Sequence, residues 1–445
     1  MNKCTNDTIV KKKFPPIHTL NPKRNNDTLS AQEARLFPYY AGYSSSFALN
    51  VLESLSLDKD ALVLDPWNGS GTTTSAANSQ GYNAVGFDLN PAMVVVAKAN
   101  TVSCVDAPSL PHLARSLVER ALARQTFDSA TDPLHVWIVP KSASFIRAIE
   151  IEINRALVSF DHYTSLKEPS VLNDVSALAA FFYLALFRAT RLLLRDFVPT
   201  NPTWTKNPRN ILNRKRPSAS LIADAFMNEV QSLSKKIFLR QRTKTEEIMP
   251  VVLRMGNAEN IQLADASVDA VVCSPPYCTR IDYAVATAIE LAVLGLSASE
   301  FDTLRRSLTG TSTVTKEPKA LDANWGPTCL TFLDAVHSHS SVASNTYYFK
   351  NHVQYFAALS RSISELGRVL ARNGTCVVVV QDSHYKEVFN NVPQIVCEMA
   401  SNSGLELVHR GDFHSRRSMA GLNSKARLYV ANRISTESVL YFGHR

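Results

Sequence analysis

The chain has no apolar run long enough to cross a bilayer and no paired cysteines. Its longest apolar stretch, 177–187, holds 11 residues, against the ~20 that a membrane helix needs, so it reads as a buried helix. The seven cysteines are odd in number, contain no C-x-x-C pair and lie partly in apolar runs such as Val271-Val272-Cys273. That excludes a disulfide framework or zinc ribbon and fits reduced thiols in the cytoplasm. No apolar segment follows Lys11-Lys12-Lys13, so no secretory leader is expected. His352, His384 and His414 are not spaced as metal ligands, and no repeat recurs at solenoid spacing. Glycine is scarce, 15 in 445 residues, about half the usual ~7%. What remains, 45% hydrophobic and 19% charged, is enough to bury a sizeable core. The net charge of +8 names no partner until it is located along the chain.

Residues 1–34 are polar, basic and broken by Pro15-Pro16, and read as a flexible arm. A compact α/β pattern occupies 35–105. A buried strand over 61–64 ends at Asp65, a turn through Gly69-Ser70-Gly71 follows, and a helix with Thr72 or Thr73 as N-cap runs to about Gln80. A second strand, 84–87, ends at Asp88, and Asn90-Pro91 opens a helix to Asn100. Two βα units in so short a span predict a parallel, doubly wound sheet. From 106 to 248 the periodicity is helical only, as in Phe145, Ile149, Ile153 and Leu157. Strands resume at 250–255 and 268–273. An amphipathic helix is expected at 351–370, closed by Asn373-Gly374, then a strand at 375–380, a helix near 386–401 and strands near 404–410 and 437–442. The sheet is therefore expected to be split by a helical insertion, with its second half in 249–445.

Two segments carry chemistry. Asp65-Pro66-Trp67-Asn68-Gly69-Ser70-Gly71-Thr72-Thr73 sits at a strand-to-helix turn, where glycines admit a close ligand and the helix N-terminus offers free N–H groups. A P-loop needs lysine after its last glycine, where Thr72 stands. A dinucleotide fingerprint wants a third glycine near position 74, which is Thr74. A nucleoside cofactor without a pyrophosphate remains, with Asp88 placed for both ribose hydroxyls; the plain alternative is a tight packing turn. The second segment, Ser274-Pro275-Pro276-Tyr277, follows the strand at 268–273. Adjacent prolines hold the chain extended and donate no hydrogen bonds, leaving carbonyls to accept. Ser274 adds a hydroxyl and Tyr277 a face for stacking a base. Its plain alternative is a proline-stiffened turn.

Together the motifs resemble those of the DNA amino-methyltransferases, which make N4-methylcytosine or N6-methyladenine from S-adenosyl-L-methionine. The cofactor motif D-P-F-x-G-S-G-T-T is met by Asp65 to Thr73, with Trp67 in the aromatic position, and [DNS]-P-P-[YFW] by Ser274 to Tyr277. Phe37-Pro38-Tyr39-Tyr40, Gly86-Phe87-Asp88-Leu89-Asn90-Pro91, Ile281-Asp282-Tyr283 and Asn201-Pro202-Thr203-Trp204 are similar to flanking runs of one subgroup. The resemblance implies a seven-stranded class I methyltransferase (Rossmann-like) α/β sheet with a terminal antiparallel hairpin. It implies cofactor contacts from Tyr39, Asp65, Pro66, Trp67, Asn68, Gly69, Gly71, Thr72, Asp88, Leu89, Asn257 and Ala258, and a catalytic role for Ser274, Pro275, Pro276 and Tyr277. Where the family often has Gly-Asp-Ala, this chain has Gly256-Asn257-Ala258, so the Asn257 carbonyl is expected to take the acid's role towards adenine. Serine at the first catalytic position favours cytosine over adenine. RNA methylation and a non-catalytic nucleic-acid-binding scaffold are the alternatives.

The charge is concentrated. Residues 188–245 hold thirteen basic side chains against three acids, a net +10, while the other 387 residues sum to −2. Trp204, Lys206, Arg209, Arg214, Lys215 and Arg216 are the expected DNA-backbone contacts within the insertion, and a duplex target would require base flipping. Lys11-Lys12-Lys13 read as a further contact or a solvated tail, and Arg416-Arg417 as an exposed loop. A cognate restriction or defence component is the expected partner.

Overall fold

The computed structural model describes residues 20–23, 35–37, 42–124, 130–159, 162–199, 204–239, 250–278, 281–315, 319–415 and 435–445. Five strands run parallel: β1 (Leu62–Asp65), β2 (Asn83–Asp88), β3 (Val251–Met255), β4 (Val268–Cys273) and β5 (Leu370–Gln381). β6 (Leu405–Ser415) and β7 (Ser435–His444) add an antiparallel pair beside β5. The spatial order is β3-β2-β1-β4-β5-β7-β6, the seven-stranded sheet with a terminal antiparallel hairpin expected of a class I methyltransferase fold. Order reverses between β1 and β4, and ligands of open α/β sheets bind above such a point, at the carboxyl ends of the strands.

Alternation along the strands explains why both faces are dry. Val63, Ala270, Val272, Val377, Val379, Val439 and Tyr441 face α1 (Ser45–Leu55) and α2 (Thr72–Ser79), joining Phe47, Val51, Leu52 and Ala77. Their neighbours Leu64, Val271, Cys273, Cys376, Val378 and Leu440 point the other way, onto Phe356, Leu359 and Ile363 of a long helix and Ile395 and Val396 of a shorter one. A period of two with both faces covered produces near-continuous apolar runs, as in Thr375 to Val380.

α3 (Pro91–Ala99) is buried at all nine positions, Lys98 included. It packs between the edge of the sheet and the helical insertion, which comprises α4 (Leu110–Ala123), α5 (Pro140–Leu157), α6 (Ala177–Leu193) and α7 (Ala219–Phe238). Its core is continuous with α3 and with Ala288 to Leu296, so the insertion is a third layer. The Lys98 ammonium donates to the carbonyls of Asn173 (2.7 Å) and Val175 (2.9 Å), and burial lowers its pKa to about 8.

Three local readings need correction. Gly71, in the left-handed region at φ 82°, is the N-cap of α2, with Thr72 and Thr73 inside the helix. The helix expected at 351–370 is α9 (Phe349–Val369), which follows α8 (Ala298–Ser307), but Asn373-Gly374 does not close it, because α9 passes directly into β5. Val268 pairs with Leu370 and Ala270 with Thr375, so Asn373-Gly374 sits in a bulge of β5. The helix expected near 386–401 is α10 (Val392–Asn402), capped by the Asn391 side chain; it starts late because Val388–Asn390 pairs with Ser383–Tyr385 in a small hairpin. Among the described residues no helix is long and apolar enough to cross a membrane.

Candidate active site

The turn after β1 is built around two buried or half-buried acids. Asp65 accepts from the Thr73 hydroxyl (2.7 Å) and the Trp67 N–H (3.1 Å). Tyr43 donates to the same carboxylate (3.5 Å) and to the Val272 carbonyl (3.0 Å), and also bonds Thr73. This knot ties the start of α1, the end of β1, α2 and β4 together, and burial pushes the Asp65 carboxyl up to about 7. Asn68 closes the turn: its N–H donates to the Phe87 carbonyl (2.9 Å) and its side chain accepts from Thr74 (3.0 Å). Only glycine fits beside it, because a Cβ on Gly86 would lie 2.5 Å from the Asn68 side chain. Gly86→Ala is therefore expected to destabilise the fold by about 1–3 kcal/mol, the usual cost of overpacking, visible as a lowered urea midpoint with an unchanged slope.

Asp88, at the end of β2, accepts from the Gly69 N–H (2.9 Å) and the Asn90 N–H (2.8 Å), one on each oxygen. A lone pair on each oxygen stays available for ligand hydroxyls. Burial raises its carboxyl to about 6, against the pull of those two N–H groups. A carboxylate that must be ionised to hold two hydroxyls loses that hold as pH falls through its pKa. Cofactor binding is thus expected to be flat above neutrality and about tenfold weaker at pH 5 than at pH 8, and Asp88→Asn, titrated at both pH values, should abolish the difference.

These residues line one cleft together with the Ser274–Tyr277 segment. Asp65, Pro66, Trp67, Asn68, Gly69, Thr72, Asp88, Leu89 and Ala258 are on its wall, and so are Ser274, Pro275, Pro276 and Tyr277. Two predicted contacts are not. Gly71 is spent on the turn geometry, packed against Ala97. The Asn257 side chain turns inward to accept from the Glu259 N–H (2.9 Å), leaving Gly256 and Ala258 at the cleft. Tyr39 lies outside the described residues, as do Lys11 to Lys13, Asn201 to Thr203 and Arg416-Arg417.

The Ser274–Tyr277 segment is pinned from four sides. The Tyr277 N–H donates to the Tyr283 hydroxyl (3.2 Å), the Tyr355 hydroxyl of α9 donates to the Pro276 carbonyl (3.0 Å), and the Tyr277 hydroxyl donates to Glu437 on β7 (3.3 Å). Gly310, at φ 80°, lies against the Tyr277 carbonyl, which a Cβ there would approach to 2.9 Å. The Pro276 carbonyl, expected to be free, is thus engaged. Among the described residues, the Ser274 hydroxyl and the Pro275 carbonyl have no hydrogen-bond partner, and both are open to accept from a ligand in the cleft. The two halves of the site are linked by Asn90, whose side chain donates to Thr287 (2.8 Å). Tyr43, Tyr355, Gly310 and Glu437 were not singled out from sequence. The readable signal was Glu437, a carboxylate in an otherwise buried strand.

A family model of DNA methylases of the N6/N4 type matches residues 9–99. Over that segment the chain is similar to the N4-cytosine/N6-adenine amino-methyltransferases. It is 24% identical to the Type II methyltransferase M.BsoBI of Geobacillus stearothermophilus over 60% of this chain and 54% of that one, so the match spans about half the relative's length. The Type II methyltransferases M.AvaI of Nostoc and of Anabaena variabilis are 21% identical over 89% of this chain and 85% of theirs. A solved structure from Bacillus halodurans C-125 aligns over 89% of this chain and 97% of that one at 10% identity, with a TM-score of 0.30; the fold assignment rests on the strand order.

The basic segment divides. Arg188 is held by Glu229 (2.6 Å) and the Leu36 carbonyl (2.6 Å), and Arg191 by both oxygens of buried Glu290 (2.6 and 2.7 Å). These two arginines are structural clamps. Lys215, a predicted DNA contact, is ion-paired with Asp196, which offsets its charge. Lys206, Arg209, Arg214 and Arg216 carry no ion pair or side-chain hydrogen bond among the described residues, and Trp204 is 47% exposed.

Proposed function

We propose that the protein methylates an exocyclic amino group of a base in double-stranded DNA with S-adenosyl-L-methionine, N4 of cytosine being favoured. The observation that carries the reading is the pairing, in one cleft, of a ribose-type acceptor, Asp88, with a catalytic segment whose Ser274 hydroxyl and Pro275 carbonyl are unpaired. Asp88, Gly69, Trp67 and Ala258 would hold the cofactor. When bound, it supplies an electrophilic methyl group, which the amino nitrogen takes in line as the carbon–sulfur bond breaks, leaving a thioether and one proton. Tyr277 stacks on the flipped base. Ser274 and Pro275 accept from the amino hydrogens, which turns the nitrogen lone pair to the methyl group; the proton released by the methylated amine passes to solvent. Positioning is the main source of rate. No covalent intermediate is needed, and Cys273 and Cys278, both buried, stay bystanders. The free cations near Trp204 support duplex contact. A cognate restriction component as partner and a cytoplasmic setting belong to the same reading, in keeping with the Type II methyltransferases it resembles.

Purified protein, methyl-labelled cofactor and either DNA or RNA, followed by nucleoside analysis, test it. Labelled N4-methylcytosine in DNA is expected. N6-methyladenine would move the target base, and label in RNA alone, or cofactor binding without transfer to either, would overturn the proposal.

A further inference from the structure

The connection between α6 and α7 is anchored at both ends. The Trp137 indole donates to the Lys206 carbonyl (2.9 Å), Lys215 and Trp137–Val139 exchange backbone bonds (2.8 and 3.0 Å), and the Ser142 hydroxyl donates to the Pro217 carbonyl (2.7 Å). Between these anchors most residues of the chain are exposed. Among them is a single turn, Ile211–Asn213, in which the Asn210 side chain accepts from the N–H groups of Leu212 (2.9 Å) and Asn213 (3.2 Å). The two residues that this cap presents are aliphatic and bare: Ile211 is 63% and Leu212 76% exposed. Four unpaired cations, Lys206, Arg209, Arg214 and Arg216, surround them in sequence.

An exposed apolar pair on a capped turn held by anchors at both ends marks a contact site. The surrounding charge selects a polyanion, and an aliphatic turn between cations suits a duplex whose phosphates take the charge while a base step takes the side chains. We propose that Ile211 and Leu212 form an apolar wedge that enters the base stack of duplex DNA, with the adjacent cations on the phosphates. This rests on the DNA reading above.

Binding to relaxed closed-circular plasmid, followed by topoisomerase treatment and removal of protein, tests it without a recognition sequence. Wild-type protein is expected to leave the plasmid unwound by several topoisomers. Ile211→Ser/Leu212→Ser should bind within about twofold of wild type and leave no shift, and Asn210→Ala, which frees the turn, should leave a reduced one. Arg209→Ala/Arg214→Ala should weaken binding and lower the salt slope by about two. A serine variant that unwinds like wild type, or a wild type that binds without unwinding, would overturn the wedge while sparing the DNA reading. A serine variant that changes from dimer to monomer by light scattering would overturn it in favour of self-association. A wild type that ignores plasmid would end both.

Discussion

Asp88→Ala is expected to weaken S-adenosylmethionine binding by at least about a hundredfold, measured by calorimetric titration. The substitution removes the acceptors for ribose hydroxyls and also releases the Gly69 and Asn90 N–H groups that shape the turn. Hydrogen bonds to a charged group contribute about 1.5–3 kcal/mol each, so losing even two costs two or more orders of magnitude. Asp88→Asn retains the shape and one acceptor, and the expected loss is nearer tenfold. Equal losses for the two variants would mean that Asp88 acts only by holding the turn. Asp65 gives the contrast. Its three partners are all internal, so Asp65→Asn should lower stability more than it lowers affinity at a temperature where the protein is folded.

Tyr277→Ala is expected to lower the turnover number about a hundredfold while cofactor affinity stays within about threefold. Stacking a base on an aromatic ring is worth about 1–3 kcal/mol, and a base left loose also loses its alignment to the methyl group. Tyr277→Phe keeps the ring and forfeits the bond to Glu437. It should cost a few-fold, as should Glu437→Ala, and the double variant should be no slower than either alone. Glu437→Gln retains an oxygen acceptor and should restore most of the activity, which a merely structural role for this buried residue would not predict. Additive losses would detach Glu437 from Tyr277.

Much of the fold is legible in local sequence because its strands are covered on both faces. Val63-Leu64 and Val271-Val272 announce themselves as buried runs, and the glycines that follow β1 mark the turn. What escapes is whatever depends on residues far apart in the chain. Arg188 and Arg191 look like members of a cationic patch until Glu229 and Glu290 are brought beside them, 41 and 99 residues later. Asn257 looks like an acid's substitute until its side chain is seen to cap its own turn. Asn373-Gly374 resembles a helix stop signal, whereas it lies in a bulge of β5 that is fixed by pairing with β4. Tyr355 and Glu437 join the site only because α9 and β7 close over the catalytic segment. Chemistry carried within one turn is readable in isolation; chemistry assembled by packing is not.

A single cleft, formed by the turn after β1, the end of β2 and the segment after β4, is expected to hold the methyl donor beside the target base. Ultraviolet irradiation of the protein with methyl-labelled S-adenosylmethionine, followed by peptide mapping, tests that most directly. Label is predicted in peptides covering 62–93 or 256–283, suppressed by S-adenosylhomocysteine and by Asp88→Ala. Label concentrated in the helical insertion, or unaffected by either, would contradict the account.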